Sequence, residues 1–224
     1  MASLYLLESS GFQSGFSQYL EFVEPERRKE LSQSGPTRTA LCRLGAGLLV
    51  HTVLNRFWGH FGIQRTKEGQ PFLPGAPFFS LSHSGSYILL GVSDSQIGVD
   101  IQEHRPVHAQ RLADRFFHPF EAEKIRISSD PNSMFFQIWS AKESYVKAKG
   151  RGFSLSFSSF CLLPESSGNC TISIPPASPC RIHAVSVPSG YTGAVCSTDP
   201  NLPEHPILCT YSPRHMFGIQ VPEA

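Results

Sequence analysis

The sequence predicts an α+β fold in which small antiparallel sheets pack on helices, and three observations predict it. Two long stretches, Arg38 to Trp58 and Phe135 to Lys149, carry apolar residues at helical period. Between them, Phe78 to His83 and Tyr87 to Ser93 read as two strands joined through Ser84-Gly85, a hairpin. The pattern Ser84-Gly85-Ser86-Tyr87 followed by Gly91-Val92-Ser93-Asp94 then recurs more loosely as Ser189-Gly190-Tyr191 followed by Ala194 to Asp199. The two turns lie 105 residues apart (189 minus 84), near half of the chain. A duplicated half-domain gives that spacing; two hairpins with similar turns also arise by chance.

The elements follow in order. Residues 3–7 read as a strand and Phe16 to Phe22 as a helix. Pro25 can open a second helix, in which Glu26-Arg27-Arg28-Lys29-Glu30 is either a solvated face or an anion contact through Arg27. In the helix from Arg38 to Trp58, Gly45 and Gly47 mark close packing, and Arg43 can reach a ligand while its stem packs. Lys67 to Gly75 is turn chemistry. Ile97 to Gln102 adds a third short strand beside the hairpin. Arg111 to Arg126 reads as a helix in two pieces about Pro119, and the next helix stops at Gly150 with Lys147 and Lys149 in its last turn. Leu155 to Leu163, Cys170 to Ile174, Arg181 to Val187 and Gly193 to Ser197 read as strands, and the proline-rich tail from Pro200 as irregular.

At 224 residues the chain can bury a core as one large domain or two small ones. A formal charge of +1 sets up no whole-protein field, so neither nucleic acid nor an anionic membrane is indicated, and a polyanion must be met by local clusters. The six cysteines form no C-x-x-C pair and read as thiols of a reducing compartment. With no basic leader and no apolar run of about 18 residues, the expected location is the cytoplasm.

Glu143 and Lys147 lie four apart and share a helix face, as a surface salt bridge or as part of a site. On its strand Asp100 shares a face with Gln102, while Val99 and Ile101 point to the core. Two carboxylates, Asp100 and Glu143, suit Mg²⁺, which completes its shell with phosphate oxygens and water. Ser82 and His83 face opposite sides of a strand and so make no hydrolase pair, and no phosphate-binding glycine loop or H-E-x-x-H motif is present. The remaining cations, Arg27, Arg28, Arg43, His83, Lys142 and Lys147, suit a magnesium-bound pyrophosphate with a further phosphate.

These residues carry a resemblance. Ile97-Gly98-Val99-Asp100 and Trp139-Ser140-Ala141-Lys142-Glu143-Ser144-Tyr145-Val146-Lys147 resemble the two signature motifs of the Sfp-type (surfactin synthetase-activating) 4′-phosphopantetheinyl transferases. Phe79-Ser80-Leu81-Ser82-His83-Ser84-Gly85 resembles that family's serine-histidine-serine-glycine hairpin. The resemblance implies two similar α/β half-domains about a pseudo-twofold, residues 1–104 and 105–224, with coenzyme A in the cleft. It implies Mg²⁺-dependent transfer of the 4′-phosphopantetheine group onto a serine of an acyl or peptidyl carrier protein, as in polyketide and nonribosomal peptide biosynthesis, with release of 3′,5′-ADP.

Within that implication Asp100 and Glu143 hold the metal, and Glu143 or a water beside it is the base. Lys147 meets the phosphates, as do Lys142 and His83, with Ser82 as a neighbour; Arg27 and Arg43 match positions near the 3′-phosphate, with Arg38 as a competing alignment for Arg43. Gln102 stands where many members carry a third acidic ligand, so its amide oxygen serves with one charge fewer. Gln70 stands where a basic residue is common. The helix from Arg111 to Arg126, with Phe116 and Phe117, is the expected carrier-docking element, and a monomer is the expected state because one chain supplies both walls. The alternatives are a non-catalytic coenzyme A and carrier binder of the same fold, and an acyltransferase, for which no H-x-x-x-D pair is evident.

Overall fold

A computed structural model of the chain describes all residues except 24, 55–62, 151–154, 175–178, 216 and 223–224. In order the elements are β1 (Ser3–Glu8), α1 (Phe16–Tyr19), α2 (Pro25–Ser34), α3 (Arg38–Leu54), β2 (Gln64–Arg65), β3 (Pro71–Phe72), β4 (Phe78–Ser84), β5 (Tyr87–Ser93) and β6 (Ile97–Glu103). Then come α4 (Ala109–Phe116), α5 (Pro119–Arg126), α6 (Pro131–Lys149), β7 (Cys161–Pro164), β8 (Cys170–Ile174), β9 (Arg181–Val185), β10 (Tyr191–Ser197), β11 (Ile207–Tyr211) and β12 (Ile219–Gln220). The end of the third helix as read from sequence, residues 55–58, lies outside the described residues.

Two five-stranded sheets carry the fold, in the orders β12-β11-β1-β5-β4 and β6-β10-β9-β8-β7. This corrects three expectations. β6 does not extend the β4–β5 hairpin but pairs antiparallel with β10, from Ile97 opposite Ser197 to Glu103 opposite Tyr191. It still lies against β4, whose serine hydroxyls, instead of its backbone, accept the β6 amides. The tail is not irregular: β11 lies between prolines and pairs in parallel with β1, Tyr5 opposite Ile207. The stretch read as a strand from Leu155 begins as a strand only at Cys161, after a 3-10 turn at Phe157–Ser159. Sheet membership therefore crosses residue 104 in both directions.

The repeat is visible in the pairing. Glu8 lies opposite Tyr87 in the first sheet as Glu103 lies opposite Tyr191 in the second. The two Ser-Gly turns meet each other: the Ser86 amide donates to the Tyr191 hydroxyl at 3.2 Å, and the Tyr87 and Tyr191 rings pack edge to face with centroids 5.0 Å apart. Gly85, at φ 58°, must be glycine twice over, because a Cβ there would also overlap the Tyr191 hydroxyl.

Leu44, Leu48 and Leu49 of α3 are fully buried in the first core, each contributing about 2 kcal/mol by burial. α6 covers the second sheet with Ala141, Tyr145, Val146 and Ala148. Asp130 caps its start by accepting from the Ser133 amide at 3.0 Å, and Gly150 ends it at φ 63°. No helix among the described residues is long and apolar enough to cross a membrane.

Candidate active site

The site forms where β6 lies on α6, and Gly98 sets that approach. A Cβ at Gly98 would overlap the Ser144 carbonyl oxygen and the Ala148 amide, so only glycine lets strand and helix backbones touch. Two residues on, Asp100 is 1% exposed. Its Oδ1 accepts from the Lys147 ammonium at 2.8 Å and from the Ser82 hydroxyl at 2.7 Å, and its Oδ2 from the Gln102 amide at 2.9 Å. Lys147 also donates to the Val99 carbonyl at 3.1 Å.

The i,i+4 pair read from sequence is therefore divided. Lys147 binds Asp100, and among the described residues Glu143 has no hydrogen bond or ion pair. Burial raises the Glu143 pKa above the ordinary carboxylate value and the Asp100 charge raises it further, with Lys147 opposing. Glu143 and Lys147 line a cavity of 580 Å³ whose other walls include Trp139, Phe116, Phe157 and Leu81. Among the described residues no cluster of three or more His, Cys, Asp or Glu side chains could hold a metal. The chain offers two carboxylates, with the Gln102 amide beside them.

Cations gather on the side of the first half. The His83 ring is exposed, yet desolvation by the surrounding cleft lowers its pKa, and the Lys147, Arg27 and Arg43 charges lower it further. Arg27 donates to the Arg43 carbonyl at 3.4 Å, and Arg43 is paired with Glu30. Arg38, the competing alignment, is tied instead to Glu103 and the Tyr191 hydroxyl at the inter-turn contact. Gln70 donates to the Lys147 carbonyl at 3.4 Å and lines the same cavity.

Sequence comparisons agree with this arrangement. The family profile of the 4′-phosphopantetheinyl transferase superfamily matches residues 96–196, the span containing Asp100, Gln102, Glu143 and Lys147. The 4′-phosphopantetheinyl transferase Sfp of Bacillus subtilis (strain 168) is 29% identical over 202 residues, 86% of this chain and 90% of that one. The 4′-phosphopantetheinyl transferase ffp of Bacillus subtilis is 30% identical over 203 residues, 86% of this chain and 89% of that one. This chain belongs to the 4′-phosphopantetheinyl transferases. The human L-aminoadipate-semialdehyde dehydrogenase-phosphopantetheinyl transferase is 31% identical over a shorter span of 166 residues, 63% of this chain and 53% of that one.

Two of the expected site residues are placed differently in this transferase. Lys142 is 0% exposed: its ammonium pairs with Glu121 at 2.8 Å, donates to the Phe157 and Phe160 carbonyls at 2.7 and 2.8 Å, and sits over the Phe160 ring. Adjacent helical residues point about 100° apart, so the face that gives Glu143 to the cleft sends Lys142 into the core. It is not a phosphate contact here. Ser82 is buried with its hydroxyl committed to Asp100, and so does not reach out to a ligand. The sequence reading missed Arg115, Phe157 and Ser158 on the cavity wall. The last two follow residues outside the described set and carry no periodic signal.

Gln102 invites a direct test in the transferase. Gln102→Glu places a carboxylate beside Asp100 and removes a donor to it, so without divalent cation its melting temperature falls below wild type. If Asp100 and Glu143 hold a Mg²⁺ ion, Mg²⁺ recovers the loss and the half-saturating Mg²⁺ concentration drops, because ligand charge tunes such sites. Melting curves and rates across a Mg²⁺ series check both; an unchanged metal dependence removes residue 102 from the metal's surroundings.

Proposed function

We propose that this transferase moves the 4′-phosphopantetheine group of coenzyme A onto a serine hydroxyl of an acyl or peptidyl carrier protein, releasing 3′,5′-ADP. The observation that carries the reading is the division of the helical pair. With Lys147 held on Asp100, Glu143 faces the cavity as a carboxylate of raised pKa beside a like charge. That is the electrostatic condition a hard cation relieves, and two carboxylates with an amide oxygen are a donor set suited to Mg²⁺. Asp100 and Glu143 would hold the ion, with Gln102 beside them; it would supply charge neutralisation across the pyrophosphate.

The residues divide the remaining work. Glu143 takes the proton from the carrier serine, whose oxygen forms a bond to the β-phosphorus as the bond to 3′,5′-ADP breaks and the leaving oxygen keeps the electron pair. Lys147 has three donors, two of them engaged by Asp100 and Val99, and the third meets the developing charge. His83, Arg27 and Arg43 bind the nucleotide phosphates from the first half. The cavity beside Glu143 takes the pantetheine arm. α4 and α5 dock the carrier: Phe116 and Phe120 are exposed there, whereas Phe117 is a core residue. Each chain supplies both walls, residues 1–104 the cations and 105–224 the catalytic helix, so the transferase works as a monomer, in the cytoplasm.

Mass spectrometry decides the reaction. An apo carrier protein incubated with coenzyme A, Mg²⁺ and the transferase gains one phosphopantetheine in mass. Coenzyme binding without that gain, across fatty-acid, polyketide and nonribosomal peptide carriers, would favour the non-catalytic binder.

A further inference from the structure

We propose that Ser82 is a positioning residue that fixes the Asp100 carboxylate at the seam between the two sheets. The inference rests on the metal-site reading above. β4 presents serines at positions 80, 82 and 84, which alternate onto one side of the strand, facing β6. The outer two perform a structural task. Ser80 Oγ accepts from the Val99 amide at 3.1 Å and Ser84 Oγ from the Glu103 amide at 2.9 Å, so their side chains satisfy β6 amides that no backbone carbonyl of β4 reaches.

The middle serine differs from both. Ser82, 7% exposed, donates to Asp100 Oδ1 at 2.7 Å. Three donors bind the two carboxylate oxygens, but they are unequal as constraints. Lys147 is a flexible amine with 29% of its side chain exposed, and Gln102 is a partly exposed amide. Ser82 has a single heavy-atom torsion and stands on a strand paired along its length with β5. It is the rigid member of the three. By occupying Oδ1 together with Lys147 it leaves acceptor capacity on Oδ2, where Gln102 supplies only one hydrogen. Ser82 thus acts on the reaction through Asp100 alone.

The test reads Asp100 directly in metal-free protein and then reads metal binding. Three-bond couplings across the Asp100 Cα–Cβ bond report a single rotamer in wild type and averaged values in Ser82→Ala. Mn²⁺ titration followed by water-proton relaxation gives a Kd about tenfold weaker in Ser82→Ala, the size expected when an outer-shell partner is lost. Ser82→Thr, which keeps the hydroxyl, restores both readings. Ser82→Cys, which keeps the volume with a weaker donor, gives intermediate values and serves if the alanine variant does not fold. Ser84→Ala lowers the melting temperature but leaves couplings and Kd at wild-type values. Wild-type couplings in Ser82→Ala and Ser82→Cys overturn the proposal. Averaged couplings in Ser82→Ala, with no Mn²⁺ binding even in wild type, support the hold on Asp100 and overturn the metal reading instead.

Discussion

Glu143→Gln abolishes transfer while making the metal-free protein more stable. On the roles proposed for Glu143, loss of a general base costs roughly 10²–10⁴ in rate and loss of a metal-holding charge adds to it, so kcat falls by about 10³ or more. The stability effect has the opposite sign. Burial and the Asp100 charge raise the Glu143 pKa in the fold, so folding favours its uncharged form. The ionised group destabilises the fold above that raised value, and the penalty disappears as pH falls below the unfolded-state value near 4.5. Glutamine keeps the shape without the charge. Its melting temperature therefore exceeds that of wild type at pH 7 by about 2–4 °C for each kcal/mol relieved, and the difference closes near pH 4. Calorimetry at the two pH values and the carrier mass assay check the pair of effects; a variant that transfers at the wild-type rate removes Glu143 from the chemistry.

Asp100→Ala also abolishes transfer, but it destabilises. Lys147, Ser82 and Gln102 lose their common acceptor, and the ammonium keeps only the Val99 carbonyl. Breaking a buried pair by removing one partner costs about 3–5 kcal/mol, and the partial exposure of Lys147 places this case at about 3 kcal/mol or less. Such a loss corresponds to roughly 6–12 °C in melting temperature. Adding Lys147→Met recovers part of the stability and none of the activity. Equal stability for Asp100→Ala and wild type would mean that the carboxylate is not what holds the lysine.

The two carboxylates thus behave as opposites, whereas the sequence paired them as two equivalent candidate metal ligands. Helical period placed Glu143 and Lys147 on one face, but their separation in the fold depends on Asp100 arriving from a strand more than forty positions earlier. Nothing in local pattern marks Glu121 as the partner that draws Lys142 inward. Most strands were legible because alternation and turn residues are local, whereas β11, set between prolines, was not. Their partners were not: β6 has the same composition whether it pairs with β5 or with β10, and the Ser80 and Ser84 hydroxyls that meet its amides read as ordinary polar positions. The two Ser-Gly turns of the sequence echo come into contact in the fold through Tyr191.

The parallel pairing of β11 with β1 has a consequence for biosynthesis. Tyr5 cannot meet Ile207 until the roughly two hundred residues between them have left the ribosome. Until then one backbone edge of β1 lacks its neighbour, while the other can already close on β5. Contacts so distant in sequence carry the largest loop-closure cost and slow the search for the native state. The second sheet is drawn from a continuous span between Ile97 and Ser197 and can assemble first. The first sheet is then sealed last, and with it the open strand edge that would otherwise recruit another nascent chain.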